Sequence, residues 1–433
     1  MKRESFSFWA ALCALLFTGC GSEPGSPAAE DVEAEALVAL PNDVVLQWHD
    51  HAVSALVAHD QYADPLAASR LFALVHLAMH DAVNATAHRA YRPYTFDERD
   101  RGAHPIAAAA AAAHRVLHTT YPAQTEALSE KLTASLSILP DGRARRRGVA
   151  LGERVADALL EARRSDGSTE TLAYAPGQDP GDYRFTTEGV IARPEWQNVT
   201  PWALERAAQF RPGPPPALDS EAYAAAFEEV RRRGAADGGE RSPDEAAYAR
   251  FWYEFSERGW NRVASVVAKQ ERLGLYATAR LFGLVNLALA DSYIAGWDAK
   301  FHHDFWRPIS AIALAETDGN PSTQPVAGWS SFLPTPPVQD YPSTHSTLGA
   351  AAAQVLERYF AQRAERVGFS MTSTSASEPN EQRSFTSFTQ AAKENADSRV
   401  VAGIHFGFSC DAGLDLGHRI GDHVFDNYLQ SQR

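Results

Sequence analysis

Two apolar stretches of this sequence repeat one another: residues 69–84 read SRLFALVHLAMHDAVN, and residues 279–294 read ARLFGLVNLALADSYI. Aligned without a gap, they are identical at eight of sixteen positions. The matches include Arg70 with Arg280 and Asp81 with Asp291, so they extend beyond a shared preference for leucine. Two copies of an apolar helical segment in one chain predict two related helical bundles lying side by side.

The spacing of apolar residues along the rest of the chain is also helical, and alternating β-branched segments are nearly absent. We therefore predict an all-α fold with few or no strands, divided into an N-terminal bundle over residues 41–215 and a C-terminal bundle over residues 216–433. Loops rich in proline and glycine interrupt the helices at residues 174–218 and 318–343. The biased stretch at residues 370–382 is predicted to be a surface loop or lid. The predicted helices cover residues 65–88, 103–119, 124–137, 141–164, 219–234, 242–269, 271–298, 345–366 and 385–407.

The N-terminus indicates export. Two basic residues precede an apolar run that is too short to span a bilayer, which is typical of a signal peptide. The run ends at Gly19-Cys20, and small residues directly before a cysteine resemble a bacterial lipoprotein processing site. We expect a signal peptide over residues 1–19, lipidation of Cys20 and a flexible tether over residues 20–40. These features predict a lipoprotein exported to the periplasmic or cell-envelope face, held at the membrane by its lipid anchor only.

Charge and cysteine content exclude two other classes of protein. The formal net charge is −14, and no basic face is visible that could bind nucleic acid. The cysteines are Cys13, Cys20 and Cys410, so processing would leave Cys410 without an intramolecular disulfide partner. Stability must therefore come from the core rather than from disulfides. The sequence leaves open whether the chain forms a homo-oligomer.

Three fragments in the second half carry the chemistry. The first reads KFHHDFWRP from residue 300 to residue 308, and its Lys300 and Arg307 are seven positions apart. On a continuous helix these two side chains would share a face about 10 Å apart, so both could converge on one tetrahedral anion. Alone, a lysine and an arginine on one face are usually solvated charges.

The second fragment, YPSTHST at residues 341–347, stands directly before an alanine-rich helix. Ser343 suits the N-cap of that helix, and the free N–H groups at a helix start attract an anion. His345 follows with a side chain suited to acid–base chemistry. The simpler interpretation of this fragment is a capped helix.

The third fragment, SRVVAGIH at residues 398–405, contains Arg399 and His405. Six residues along a straight helix would place these side chains about 120° apart. They can serve one site only if Arg399 reaches around the helix or if the helix deforms near Gly403.

Together and in this order, K-x6-R-P, P-S-x-H and S-R-x5-H resemble the signature shared by vanadium-dependent haloperoxidases and type-2 phosphatidic-acid phosphatases. Trp297 and the FWRP sequence at residues 305–308 resemble the chloroperoxidase branch in particular. The resemblance implies two four-helix bundles and bound vanadate as the cofactor. Phosphate can occupy the same site, because vanadate mimics the geometry of phosphoryl transfer.

The resemblance also implies a role for each matching residue. His345 is similar to the family's acid–base histidine, and His405 to the residue that bonds vanadium in peroxidases or phosphorus in phosphatases. The remaining matches resemble the family's oxyanion-binding residues, which are Lys300, Arg307, Ser343, Thr344 and Arg399.

The sequence departs from the family pattern at three positions. Thr344 stands where glycine is usual, so this position needs an ordinary φ. Val338 stands where chloroperoxidases have an aromatic residue near the halide, which favours bromide over chloride; Val338 and Trp297 are expected in the pocket wall. Ser409 stands where phosphatases have an acid that orients the histidine. We predict that Asp411 is instead the hydrogen-bond partner of His405, with a backbone carbonyl as the alternative.

The resemblance implies an oxidoreductase: a haloperoxidase that uses hydrogen peroxide to oxidise a halide or a small organic molecule. The alternative is an exported acid phosphatase that hydrolyses a phosphate monoester through a phosphohistidine. A third class is a non-catalytic phosphate-binding lipoprotein. It is disfavoured because simple anion binding does not require the acid–base residue His345.

Overall fold

The regular secondary structure is almost entirely helical in a computed structural model that describes residues 43–87, 90–361 and 367–432. Apart from short 3₁₀ turns and one two-stranded hairpin, its regular structure is α-helix, so the all-α prediction is confirmed. The predicted signal peptide, Cys20 and the tether lie outside the described residues. The helices are α1 (Asp43–Asp60), α2 (Pro65–Thr86), α3 (Pro105–Thr120), α4 (Thr125–Ser137), α5 (Arg143–Ala162), α6 (Glu221–Arg233), α7 (Pro243–Phe251), α8 (Ser256–Gln270), α9 (Leu275–His303), α10 (Pro308–Ala313), α11 (Thr344–Phe360), α12 (Phe388–Val401) and α13 (Gly407–Asn427).

Two parts of the sequence behave differently from the prediction. The stretch predicted as a surface loop is bounded by strands β1 (Phe369–Thr372) and β2 (Gln382–Phe385), which pair antiparallel. Each strand is only four residues long, too short for alternation to be recognised in the sequence. The single helix predicted over residues 242–269 is two helices, α7 and α8. A capping box formed by Ser242 and Glu245 starts α7, and a turn after Phe251 separates α7 from α8.

Helices α2 and α9, which contain the repeated stretches, lie at the centre of the molecule and pack against each other. Helix α9 has 29 residues and is therefore about 44 Å long. Helix α2 is long and apolar enough to cross a membrane by composition alone, but 89% of its most apolar 18-residue window is buried inside the protein. Its apolar character is explained by its position in the core.

The two halves use the matching aspartates in the same way. Asp81 accepts hydrogen bonds from the backbone N–H groups of residues 94–96 at 2.7–2.9 Å. Asp291 accepts from the N–H groups of residues 202–204 at 2.6–2.8 Å. Each buried carboxylate thus holds three consecutive amides of a loop against its helix. This parallel supports the prediction of an internal repeat.

A second parallel lies in the core between paired helices. His49 on α1 and His76 on α2 are buried with their ring nitrogens 3.1 Å apart. In the second half, Asn261 on α8 and Asn286 on α9 exchange two amide hydrogen bonds of 2.8 Å. A polar pair therefore occupies the corresponding helix–helix contact of each half.

One continuous hydrophobic core includes residues from Val44 in α1 to Leu429 after α13, so the two halves of the chain share a single core. A smaller apolar cluster around Trp306 and Phe406 supports the second half. The predicted division near residue 215 stays a prediction. The three chemical fragments meet where the ends of α9, α11 and α12 converge.

Candidate active site

Lys300 and Arg307 are brought together by a turn rather than by one continuous helix. Helix α9 ends at His303, and Asp304 adopts a left-handed conformation with φ of 46°. Arg307 is the N-cap of α10, whose first residue is Pro308. The continuous helix assumed from the sequence is therefore wrong, because a residue before proline is disfavoured in helical geometry. The convergence of the two side chains is nevertheless observed.

Backbone carbonyls of residues 338–340 hold both cations. Lys300 Nζ donates to the carbonyls of Gln339 at 2.5 Å and Asp340 at 3.0 Å. Arg307 Nε donates to the carbonyl of Val338 at 2.7 Å. Burial, assisted by the charge of Arg307, holds the pKa of Lys300 well below its usual value. Burial also lowers the pKa of Arg307.

The second fragment forms the start of helix α11. Ser343 is its N-cap and accepts from the N–H of Ser346 at 3.4 Å, so the predicted cap is present. Thr344 adopts an ordinary, negative φ, as its side chain requires. Its Oγ1 is buried and has no hydrogen-bond partner among the described residues. Ser343 and Thr344 therefore place a helix N-terminus and an unsatisfied hydroxyl beside the cations.

His345 is half-buried at the first turn of α11. Its Nε2 lies 3.1 Å from the carbonyl oxygen of Glu254, so Nε2 is the atom that carries the proton and Nδ1 is left as the acceptor. Burial, and then the charge of Arg399, hold the pKa of His345 well below its ordinary value. The imidazole is thus neutral at pH 7 and suited to accept a proton.

Arg399 and His405 reach the same region because helix α12 ends between them. The helix stops at Val401, and Gly403 has φ of +79°. A Cβ at Gly403 would lie 2.2 Å from the carbonyl oxygen of Gly234, so both the conformation and the space require glycine. Of the two alternatives left open by the sequence, the structure shows the helix deformed near Gly403.

Arg399 is fully buried and only partly satisfied. Its Nε donates to Ser398 Oγ at 3.0 Å, whereas Nη1 has no hydrogen-bond partner among the described residues. Burial lowers the pKa of Arg399 to about 10. An unsatisfied buried guanidinium N–H is costly unless an anion accepts from it.

His405 is contacted at both ring nitrogens. Asp340 Oδ1 lies 3.0 Å from Nδ1, although their relative orientation falls short of a regular hydrogen bond. Arg307 Nη1 lies 2.9 Å from Nε2. Asp340 also accepts from Ser409 Oγ, and burial raises its pKa to about 6. Burial, and then the charge of Arg307, hold the pKa of His405 well below its usual value.

The prediction that Asp411 supports His405 is wrong. The side chain of Asp411 is exposed on α13, and Asp340 occupies the place at His405 Nδ1. Asp411 lies in the first turns of a regular helix, so its chain does not fold back as expected at Gly413. Asp340 was missed although it stands three positions before Ser343. The available signal was a carboxylate directly preceding the YPSTH fragment.

The oxyanion-binding residues named above form a group that is called the oxyanion cluster. This cluster faces a cavity of about 480 Å³, which is called the first cavity. Trp297 and Val338 line it, as predicted, together with His345 and His405. The rest of its wall is mainly apolar and comes from both halves of the chain. This part of the wall includes Leu66, Ile191, Ala192, Phe255, Tyr293 and Ile404.

Comparison with known proteins agrees with this geometry. Residues 280–432 match the family model of the second helical-bundle domain of vanadium chloroperoxidase (VCPO). This range contains Lys300, Arg307, Ser343, Arg399 and His405. The chain is thus similar to vanadium-dependent haloperoxidases.

Among curated proteins, the chain is similar to the vanadium chloroperoxidase of Curvularia inaequalis, with 27% identity over 267 residues. That match covers 47% of this chain and 43% of the relative, so the chain spans less than half the length of the curated relative it matches.

Two solved structures extend the likeness. The crystal structure of a protein described as the first bacterial vanadium-dependent iodoperoxidase superposes with a TM-score of 0.77 and 26% identity, covering 91% of this chain and 99% of the other. The holo form of a bacterial vanadium-dependent chloroperoxidase gives a TM-score of 0.68 at 20% identity, covering 84% and 92%. The latter supports the fold alone.

Proposed function

We propose that this protein is a peroxidase of the vanadium-dependent type, which uses hydrogen peroxide to oxidise a halide. The observation that carries the proposal is the burial of three cations, Lys300, Arg307 and Arg399, in one region. Among the described residues, the carboxylate within ion-pair distance of any of them is Asp340, 4.0 Å from Arg307. Such an excess of buried positive charge requires an anionic partner.

The chemistry of the donors fits vanadate. The unsatisfied Nη1 of Arg399 and Oγ1 of Thr344 can donate to oxyanion oxygens, and Lys300 and Arg307 can neutralise their charge. An anion in this place would also raise the depressed pKa values of the three cations. When bound, vanadate would supply a Lewis-acidic centre at which peroxide becomes an oxidant.

His405 is the residue that would bond the central atom. Asp340 beside Nδ1 favours the tautomer with the proton on that nitrogen. Nε2 then carries a lone pair, which at present accepts from Arg307. A neutral imidazole with its second nitrogen anchored is the form that binds a metal centre.

His345 is positioned to move the proton. Its Nδ1 accepts the proton that peroxide releases and returns it when the O–O bond breaks. In the overall reaction, the halide loses two electrons and takes one peroxide oxygen, whereas the other leaves as water: X⁻ + H₂O₂ + H⁺ gives HOX + H₂O. His345 therefore remains unchanged after each turnover.

We propose bromide or iodide as the halide rather than chloride. Val338 stands where the chloroperoxidase branch has an aromatic residue, so the aromatic side chain that the resemblance associates with chloride is replaced by an aliphatic one. Support also comes from the similar bacterial protein that is described as an iodoperoxidase. The apolar wall of the cavity is suited to a neutral organic acceptor.

One experiment tests the function. The purified protein, loaded with orthovanadate, is given peroxide with chloride, bromide or iodide, while the vanadate-free protein is assayed on a phosphate monoester. Vanadate-dependent oxidation of bromide or iodide is the expected result. Ester hydrolysis without any halide oxidation would instead support the acid phosphatase, for which His405 would be the nucleophile.

A further inference from the structure

A second cavity of about 490 Å³ adjoins the first. Both are lined by His345 and by the same wall of Phe255, Pro336 and Pro337. The two spaces therefore share part of their lining, and each reaches the acid–base histidine. A site with two cavities can receive its reactants by separate routes.

The charges that line the two cavities differ. In the first cavity, outside the oxyanion cluster, Asp64 and Arg193 neutralise each other at 3.0 Å. The second cavity is lined by Arg258 and Arg399. Arg258 is half-buried and has no carboxylate within ion-pair distance among the described residues; its guanidinium lies 5.2 Å from the Tyr62 ring.

The acidic side chain in the second cavity does not cancel this charge. Glu254 is engaged by Arg262 at 2.5 Å and by the Thr374 hydroxyl at 2.6 Å. Arg399 is fully buried at this cavity, and its unsatisfied Nη1 is the donor proposed above for the vanadate oxygens. Gln61, Thr335 and Ser375 add neutral polar groups to its lining. The second cavity thus has a net positive lining, to which Arg258 contributes a charge that lies outside the oxyanion-binding residues.

We propose that the second cavity is the binding subsite and entry route for the halide anion, with Arg258 attracting the ion toward Arg399 and His345. The first cavity is then left for the neutral acceptor. A cleft with one sign of charge and low-dielectric walls concentrates ions of the opposite sign. This inference rests on the proposed haloperoxidase function.

Two measurements test it on the full-length protein. In crystals soaked with bromide, an anomalous peak is expected in the second cavity beside Arg258. In steady-state assays of the vanadate-loaded enzyme, Arg258→Gln should raise KM for bromide about tenfold, the low end of electrostatic focusing, with kcat nearly unchanged. Arg258→Lys should retain most of the wild-type value, because it keeps the charge.

Lys269→Gln is the matched control, since it removes a positive charge from an exposed position of the same helix α8. Equal KM values for Arg258→Gln and Lys269→Gln, or a bromide peak confined to the first cavity, would overturn the inference. Bromide bound beside Arg258 in a protein that oxidises no halide would retain the anion subsite and refute the haloperoxidase function. An active enzyme with bromide bound elsewhere would retain the haloperoxidase function and refute the anion subsite.

Discussion

Asp340 Oδ1 lies 3.0 Å from Nδ1 of His405, and Asp340 is buried behind the histidine. In the proposed function, this carboxylate favours the tautomer with the proton on Nδ1, so that Nε2 would bond the central atom of the bound anion. The pair joins the segment before α11 to the turn before α13, which are far apart in the sequence.

Asp340→Asn should weaken vanadate binding by about 10- to 100-fold, the usual loss when the partner of a ligating histidine is removed. Calorimetric titration with orthovanadate measures this directly. Asp411→Asn is the control, because Asp411 is an exposed carboxylate on α13. Similar affinities for the two variants, with both correctly folded by circular dichroism, would contradict the role of Asp340.

His345→Ala should abolish most turnover and leave vanadate bound. General acid–base catalysis typically contributes about 10²- to 10⁴-fold, whereas the proton carrier is not expected to hold the anion. Parallel measurements of kcat and of vanadate affinity separate these effects. A variant that loses vanadate but turns over normally whenever vanadate is bound would show that the assignment is wrong.

Arg399→Ala should weaken orthovanadate binding by about 2–4 kcal/mol, the loss expected for one partner of a desolvated charge pair. Phosphate should compete with vanadate in the wild-type protein, since both would occupy the same cluster of cations. Competition calorimetry tests both expectations. Independent binding of the two anions would be incompatible with one shared site.

The buried carboxyl group of Glu257 should make stability depend on pH. It accepts from the Tyr293 hydroxyl at 2.7 Å, and burial raises its pKa to about 8. Between its unfolded pKa, about 4.3, and about 8, the folded state binds more protons than the unfolded state, so the free energy of unfolding falls as pH rises. The slope approaches about 1.4 kcal/mol per pH unit for this one group.

Glu257→Gln should remove this contribution, because glutamine does not ionise. Urea unfolding of both proteins from pH 5 to pH 9 gives the difference in stability, which should move in favour of the variant as pH rises and level off above pH 8. Parallel curves for wild type and variant over this interval would mean that Glu257 is already ionised in the folded protein.

Cys20→Ser should release the mature protein from the membrane fraction. The expectation comes from the short apolar run, Gly19 and the Gly-, Ser- and Pro-containing sequence that follows. Fractionation of cells followed by immunoblotting measures it, with Cys13→Ser as a control that leaves Cys20 intact. Retention of the Cys20→Ser protein in membranes would contradict lipid anchoring.

Local rules were sufficient to predict several features of the site. Serine is a preferred N-cap residue, and Ser343 caps helix α11. Glycine readily adopts a positive φ, and Gly403 does so just after helix α12 ends. The helical periodicity and the repeated stretch predicted the central pair of helices because buried helices need a broad apolar surface.

Features that depend on contacts between segments far apart in the sequence could not be predicted from local rules. Asp340 reaches His405 only because residues 338–340 wrap around Lys300 and Arg307. The second cavity likewise depends on Arg258 and Arg399 coming together from separate helices. No spacing within a single helix indicates such an approach.

The hydrogen bonds that Asp291 accepts from the N–H groups of residues 202–204 bear on how mutations can change the neighbouring loop. The loop that supplies Ile191 and Ala192 to the first cavity is fastened at one end by Asp291 and at the other by Asp166, which binds Arg70 at 2.8 Å. Neither fastening includes an oxyanion-binding residue. Between these two points the loop also contacts the segments that carry the site, because the N–H of Ala192 donates to the carbonyl of Pro337 at 2.8 Å and the N–H of Trp306 donates to the carbonyl of Gly181 at 2.8 Å. Mutations in this loop are therefore expected to change the wall of the first cavity and the placement of Val338 and Arg307 together.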